Sequence, residues 1–489
     1  MLLKDILNKI HIEEIIGNKE LDIDNIVYDS RKVVPDSMFI CITGFKTDGH
    51  IYIDQAIQKG ATAIMIEKDL DTYVDGITYI KVKNTRKTMA VIAKNFYQNP
   101  SKELDLIGIT GTNGKTSTTY MIKSILEVSN KKTNLIGTIA NYIAGEEIEA
   151  DRTTPESIDL QRMFRKMVDY NIDACVMEVS SHSLELQRVM GSEFKIGVFT
   201  NLTPEHLDFH ESIDKYLNAK KKLFYQTSLC NIINIDDKGG RKILEEISKL
   251  STPILTYGLK KDADIFAQNI EMSMKHISFD LITPKYTEKI IVNIPGKFTV
   301  YNALAAIAVS YGLGIDIKYI KEGLSNIKGV AGRMESIDEF SNFAVIVDYA
   351  HTPDALENLI KSAREFTQNR LITVFGCGGD RDPKKREIMG KISGEYSDLT
   401  IITSDNPRSE DPMKIIKMIE KGIKSTNANY FIEENRREAI ALALRNAQKG
   451  DVVLIAGKGH ETYQIVGDEI FEFDDKKVAL EIARKEELI

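Results

Sequence analysis

The densest run of chemistry in the chain is Gly108-Ile109-Thr110-Gly111-Thr112-Asn113-Gly114-Lys115-Thr116-Ser117. Glycines let a backbone curl until its N–H groups face one point, and a helix starting there adds positive potential, so the run suits a phosphate. In that arrangement the Lys115 ammonium reaches the outer phosphates of a nucleotide and the Thr116 hydroxyl sits on Mg²⁺. The strict phosphate-loop spacing would need glycine at position 109. Here Gly108 comes one residue early and 109 is Ile. The apolar run Leu104 to Ile109 in front and a helical pattern behind, from about Ser117, still point to nucleotide binding. Two more loops follow apolar strands: Asp405-Asn406-Pro407-Arg408 after Leu399 to Ser404, and Gly457-Lys458-Gly459-His460-Glu461 after Ala456. Loops beyond strand carboxyl ends line the ligand crevice in open α/β sheets. The second of them lacks a Gly-Lys-Ser/Thr ending, so it is not another phosphate loop.

These groups need rigid elements to hold them. Short apolar runs alternate with longer helical patterns almost throughout, which predicts an α/β fold with largely parallel sheets. Turn-rich breaks fall near Asn99-Pro100-Ser101 and near Lys328-Gly329-Val330-Ala331-Gly332-Arg333. They predict three domains, at about 1–100, 101–333 and 334–489. The expected architecture is a central ATP-binding domain of P-loop type with a mostly parallel sheet. It is flanked by a smaller N-terminal α/β domain and a Rossmann-like C-terminal α/β domain.

Composition narrows the function classes. The 489 residues carry a formal charge of -8, with positive and negative side chains interspersed, which argues against nucleic acid or an anionic membrane as partner. No apolar run approaches the roughly 20 residues that span a bilayer. The first ten residues alternate charged and apolar side chains like a short amphipathic helix, unlike a signal peptide. Cys41, Cys175, Cys230 and Cys377 are far apart and form no Cys-x-x-Cys pair, so neither a zinc site nor a disulfide framework is expected. The expectation is a cytoplasmic protein.

The variant Thr110 to Thr116 resembles the phosphate loop of the Mur ligase family, and further segments in order along the chain resemble it too. These are Asp29-Ser30-Arg31, Asp48-Gly49-His50, Thr153-Thr154-Pro155, Glu178-Val179-Ser180-Ser181-His182, Asn201 to Asp208, Pro295 to Asn302, Asp348 to Pro353 and Phe375 to Asp382. Two departures stand out. Glu205 replaces the first Asp of the family's Asp-His-Leu-Asp signature, and Leu186 stands where relatives often carry Gln, with Gln187 next to Arg188.

The resemblance implies ATP-dependent formation of an amide bond through an acyl phosphate, in peptidoglycan precursor synthesis and so in cell-wall biogenesis, cell shape and cell division. It implies ATP contacts from Gly111, Thr112, Asn113, Gly114, Lys115, Thr116, Ser117, Asn302, Arg333 and Asp348. It implies contacts to a UDP-linked precursor from Ser30, Thr153, Thr154, Ser180 and Arg188. Magnesium would fall to Thr116, Glu178, His206 and Lys220, the last as a carbamate formed with CO₂, which turns a cation into an anionic ligand. Lys115, Lys220 and His206 are the implied catalytic residues, whereas Lys221 and Lys222 read as solvent-facing. Asp405 to Arg408 matches family members that add meso-2,6-diaminopimelate to UDP-N-acetylmuramoyl-L-alanyl-D-glutamate. Arg408 suits the far carboxylate that lysine lacks. Arg381, Asp405, Asn406, Pro407, Arg408, Gly457 and Glu461 are the implied amino-acid contacts. The alternatives are the same ligation with L-lysine, or a nucleotide-binding regulator without ligation.

Overall fold

The computed structural model describes every residue except Phe45, Lys46, Asp151, Met274, Lys275 and Lys328. Lys328, at one end of the second expected break, therefore lies outside the described residues. Three large sheets follow one another along the chain, each closed within its own segment. The first has five strands between Glu14 and Lys81, parallel except where Glu14–Ile16 runs against Thr78–Lys81. The second has eleven, between Asp105 and Val292. The third has six, between Glu335 and Ala456.

At the heart of the second sheet, Asp105–Thr110 lies between Ala174–Glu178 and Phe194–Phe199, both parallel to it. All the side chains of Ala174–Glu178 are buried, as expected for a parallel strand covered on both faces. The sheet is mostly parallel, as the sequence pattern predicts, and antiparallel hairpins extend it at both edges, over Thr133–Glu149 and Ile265–Val292. Helix Lys297–Gly312 is apolar on every face, and Ala303 to Val309 are all fully buried. It runs beneath the phosphate loop and brings Asn302 to it.

The third sheet has the order Glu335–Ser336, Ala344–Asp348, Val452–Ala456, Leu371–Phe375, Leu399–Ile402, Asn429–Ile432. Val452–Ala456, the last of these six in the chain, inserts between Ala344–Asp348 and Leu371–Phe375 and is parallel to both. Strand order reverses there, and such a reversal opens a crevice at the carboxyl ends. Strand and helix starts differ from the sequence reading by one or two residues, and the N-terminal helix is a single turn, Leu3–Ile6.

Candidate functional site

Strand Asp105–Thr110 ends at the loop Gly111–Gly114, and helix Lys115–Val128 starts immediately behind it. Gly114 caps this helix at φ +84°, and a Cβ there would come within 2.4 Å of Asn302 Oδ1, so both its conformation and its surroundings call for glycine. Asn113 is pinned by neighbouring strands: its N–H donates to Asn201 Oδ1 at 2.9 Å, and its carbonyl accepts from Thr200 Oγ1 at 2.7 Å. Lys115 Nζ donates only to backbone carbonyls, Gly111 at 3.1 Å and Thr112 at 2.7 Å. It makes no salt bridge among the described residues, and burial pulls its pKa below the ordinary lysine value. A cation held this way at a phosphate loop is set to meet an anion.

Glu178, fully buried at the end of its strand, accepts from Thr116 Oγ1 at 3.0 Å, Thr138 N at 2.9 Å and Thr138 Oγ1 at 3.1 Å. Hydroxyl and carboxylate oxygens in contact beside a phosphate loop fit the hard-oxygen preference of magnesium. No group of three or more His, Cys, Asp or Glu side chains placed to hold a metal occurs among the described residues. An ion there would therefore need phosphate or water oxygens to complete its shell. His206 stands in the left-handed region at φ 55° at the start of the turn Leu207–His210, with its ring 4.8 Å from that of His182. Burial lowers its pKa against the opposing pull of Glu205, whose carboxylate lies 3.7 Å from Nε2, and so favours the neutral imidazole.

Lys220 is an unusual lysine. It is buried in helix Ile213–Lys221, donates to Gly111 O at 2.6 Å, and lies 4.3 Å from the Tyr216 ring centroid. Burial first, and Lys115 second, push its pKa well below the usual value. Its neighbours behave differently: Lys221 pairs with Glu246 and Lys222 with Glu185 at the surface.

Phosphate-loop residues and the C-terminal segment share one cavity of about 380 Å³. Asn113, Gly114 and Ser117 line one side with Asn302, while Arg333 and Asp348 line the other. Asp348 is held by Met334 N–H at 2.7 Å and Ala350 N–H at 2.8 Å, and Arg333 stacks over Tyr349 at 5.0 Å. Asp354, which carries no sequence signal of a role here, spans the two parts: its carboxylate accepts from Thr203 Oγ1 at 2.9 Å and Asn113 Nδ2 at 3.2 Å.

The segments expected to hold the precursor are linked as well. Thr153 Oγ1 lies 3.1 Å from Thr138 Oγ1, Thr154 Oγ1 donates to Glu178 O at 2.9 Å and accepts from Ser180 N at 3.1 Å, and Arg188 Nη1 donates to Thr154 O at 3.2 Å. Arg188 also pairs with Glu156 at 3.0 Å, which in turn receives Arg86 from the N-terminal segment at 3.3 Å. Ser30 is buried and engaged with Gln55 at 2.7 Å. Beside the departure at Leu186, Gln187 takes φ 58° with its Oε1 buried and unpartnered among the described residues.

Three loops meet at the carboxyl ends of neighbouring C-terminal strands. A Cβ on Gly379 would lie 1.8 Å from Pro407 O, so only glycine lets the loop after Leu371–Phe375 pack on the loop of residues 405–408. Asn406 Nδ2 donates to Glu461 Oε2 at 2.8 Å, and Asp405 lies against Gly457. Arg408, at φ 52°, donates to Gly379 O at 2.9 Å, while its main chain bonds Ile465 and Gly467 of the hairpin Tyr463–Glu472. Arg381 stands apart: it is exposed and donates to Asp380 O at 3.0 Å.

Beneath these loops lies a fully buried ion pair that sequence reasoning missed, Arg436 with Asp475 at 2.6 Å. Arg436 also donates to Ser404 O at 3.3 Å and Ala456 O at 3.0 Å, tying together the strand ends that carry both loops. Arginine opening helix Arg436–Asn446 gives no sequence signal of this role. Replacing Arg436 by Leu is expected to cost about 3–5 kcal/mol, because Asp475 is left buried and uncompensated, whereas changing both to Leu costs less. Urea unfolding of the two variants measures the difference.

Family models match in chain order: "Mur ligase family, catalytic domain" over residues 22–97, "Mur ligase middle domain" over 109–310, and "Mur ligase, glutamate ligase domain" over 332–459. The chain is 58% identical over 488 residues to the UDP-N-acetylmuramoyl-L-alanyl-D-glutamate--2,6-diaminopimelate ligase of Alkaliphilus metalliredigens (strain QYMF), covering 100% of this chain and 99% of that protein. It is 54% identical over 489 residues to the protein of the same name from Alkaliphilus oremlandii (strain OhILAs), covering 100% of both. A solved structure of a ligase bearing this name superposes with a TM-score of 0.73 at 30% identity, covering 100% of this chain and 99% of that one. No helix among the described residues is long and apolar enough to cross a membrane. With full-length relatives this similar and all three models in register, the chain belongs to the Mur ligase family.

Proposed function

We propose that the protein is the ATP-dependent ligase that joins meso-2,6-diaminopimelate to UDP-N-acetylmuramoyl-L-alanyl-D-glutamate, a step of peptidoglycan precursor synthesis. The observation that carries this reading is the joint site. A phosphate loop and Glu178 stand on one side of a cavity, Arg333 and Asp348 on the other, and the loop of Asn406 and Arg408 meets Glu461 at the strand ends beyond.

A carboxylate resists amines because oxide is a poor leaving group. Transfer of the γ-phosphoryl of ATP to the precursor carboxylate makes an acyl phosphate and releases ADP. The amine then attacks the acyl carbon, loses a proton and expels phosphate, leaving the amide. Three anions meet in the first step, so charge neutralisation and positioning carry most of the catalysis. Lys115 meets the outer phosphates, Gly111 to Ser117 present backbone N–H groups and Arg333 reaches phosphate from the C-terminal side, while Asn302 and Asp348 hold the nucleoside side. Thr116, Glu178, His206 and a Lys220 carbamate would hold Mg²⁺, which when bound neutralises phosphate charge. Lys220 suits carbamate formation because a buried neutral amine attacks CO₂ and gives up one proton. Ser30, Thr153, Thr154, Ser180 and Arg188 orient the precursor. Arg381, Asp405 to Arg408, Gly457 and Glu461 take the amino acid, with Arg408 on its far carboxylate and Glu461 on its far ammonium. Closure of the C-terminal part over the phosphate loop, through contacts such as Asp354 with Thr203, keeps water from the acyl phosphate.

The proposed division at residues 100 and 333 is supported by sheets that each close within one segment. The enzyme is proposed to act as a cytoplasmic monomer on small molecules, with no nucleic acid partner.

Purified protein with ATP, Mg²⁺ and the UDP-linked precursor is expected to release phosphate on addition of meso-diaminopimelate and not of L-lysine. Release with lysine at a similar rate would overturn the specificity and leave the ligase. Phosphate release indifferent to any amino acid would favour a nucleotide-binding regulator.

A further inference from the structure

Lys458 is fully buried in the loop between Ala456 and Glu461, where an ammonium is costly unless it is paired. It donates to Asn406 Oδ1 at 3.1 Å and Glu461 Oε2 at 3.2 Å, and lies 5.5 Å from the Tyr463 ring centroid. An ammonium can only donate, so it obliges Asn406 to turn its amide oxygen inward. That oxygen also accepts from Ile465 N–H at 3.0 Å, and the amide nitrogen is thereby aimed at Glu461 Oε2, 2.8 Å away. Glu461 thus receives two bonds from the loops themselves.

Glu461, Glu149 and Asp405 on the negative side and Arg408 on the positive all act on the Tyr463 hydroxyl, and Lys458 lies over its ring. Carboxylates outnumber cations in this group, and the Arg436–Asp475 pair beneath it cancels internally. Losing Lys458 would make the group more negative by one unit charge.

We propose that Lys458 is a positioning and specificity-determining residue of the amino-acid pocket. It locks Asn406 and Glu461 in one hydrogen-bonded arrangement and offsets the charge of the Glu461 carboxylate. The pocket then takes a side-chain end that is itself a zwitterion and disfavours one bearing an ammonium alone. The inference rests on the amino-acid pocket proposed above. The more negative the pocket, the more strongly it attracts a lone ammonium, so Lys458 works against that substrate.

Steady-state phosphate release by the full-length protein, with ATP and the UDP-linked precursor, compares wild type with Lys458→Gln and Lys458→Arg. Gln keeps a donor and removes the charge, whereas Arg keeps the charge. For Lys458→Gln, KM for meso-diaminopimelate is expected to rise about tenfold, with KM for ATP within about twofold of wild type. Its ratio of kcat/KM for diaminopimelate over lysine should move about tenfold towards lysine, while Lys458→Arg stays within about threefold of wild type. A folded Lys458→Gln protein that loses kcat with both amino acids and keeps the ratio overturns the proposal, leaving Lys458 a structural cation. If Lys458→Gln does not fold by circular dichroism, Lys458→Arg decides: an unchanged ratio supports the charge argument, and a shift of about tenfold overturns it. Failure of the underlying pocket reading is distinct, because wild type itself would then show no phosphate release in response to diaminopimelate.

Discussion

Lys220→Ala is expected to cut turnover about 10²–10³-fold, the usual cost of removing one group that stabilises transition-state charge. Lys220→Arg should be as inactive, since a guanidinium does not add CO₂ and adds a positive charge where the proposed function needs a negative one. The wild-type prediction is more specific. Burial lowers the Lys220 pKa well below that of a free lysine, so the amine is neutral above that lowered pKa and becomes protonated as pH falls through it. Only the neutral amine adds CO₂. The carbamate, and activity with it, is therefore present towards higher pH and lost towards lower pH. Protein stripped of CO₂ should lose activity and regain it with bicarbonate, and ¹³C-bicarbonate should give a carbamate NMR signal that Lys220→Ala lacks. Full activity in CO₂-free buffer with no such signal would leave Lys220 as a plain buried amine donating to Gly111 O.

Arg408→Ala is expected to lower kcat/KM for meso-diaminopimelate about 100-fold, corresponding to about 2–3 kcal/mol for a lost hydrogen-bonded charge contact. Activity with lysine should fall far less, so the preference narrows mainly through loss of the better substrate. The guanidinium also donates to Gly379 O, and the main chain at 408 holds Ile465 and Gly467, so loop distortion is a second route to lost activity. Arg408→Lys is the control: the charge stays and the planar fork goes, so an intermediate loss assigns the remainder to bidentate geometry. Equal losses with both amino acids, for both variants, would assign Arg408 to loop architecture.

Much of this organisation is legible in the chain. Apolar runs such as Leu106 to Ile109 mark parallel strands because burial on both faces requires unbroken apolar sequence, and the phosphate loop declares itself because few residue types allow that backbone. The resemblance of ordered segments then directs attention to Glu178, Lys220 and Arg408. Less legible were the edges of the central sheet, where antiparallel hairpins extend the parallel core. Hairpin strands such as Glu146–Glu149, with every side chain exposed, carry no apolar run to announce them.

Local sequence by itself determined the strand-to-helix phosphate loop, the α/β alternation and the family segments, since these depend on residue type and near-neighbour spacing. Tertiary structure supplied the reason that Lys220, which the family resemblance singles out, is the buried one of three consecutive lysines: among them it alone faces Gly111 across 109 residues of chain. It also decided that Asp354 reaches Asn113 and Thr203, that Arg436 ties Ser404 to Ala456, and that Lys458 finds Asn406. Each of these is a polar group whose partner is distant in sequence. Its role follows from desolvation and from the partner that compensates it, and both exist only once the chain has closed around them.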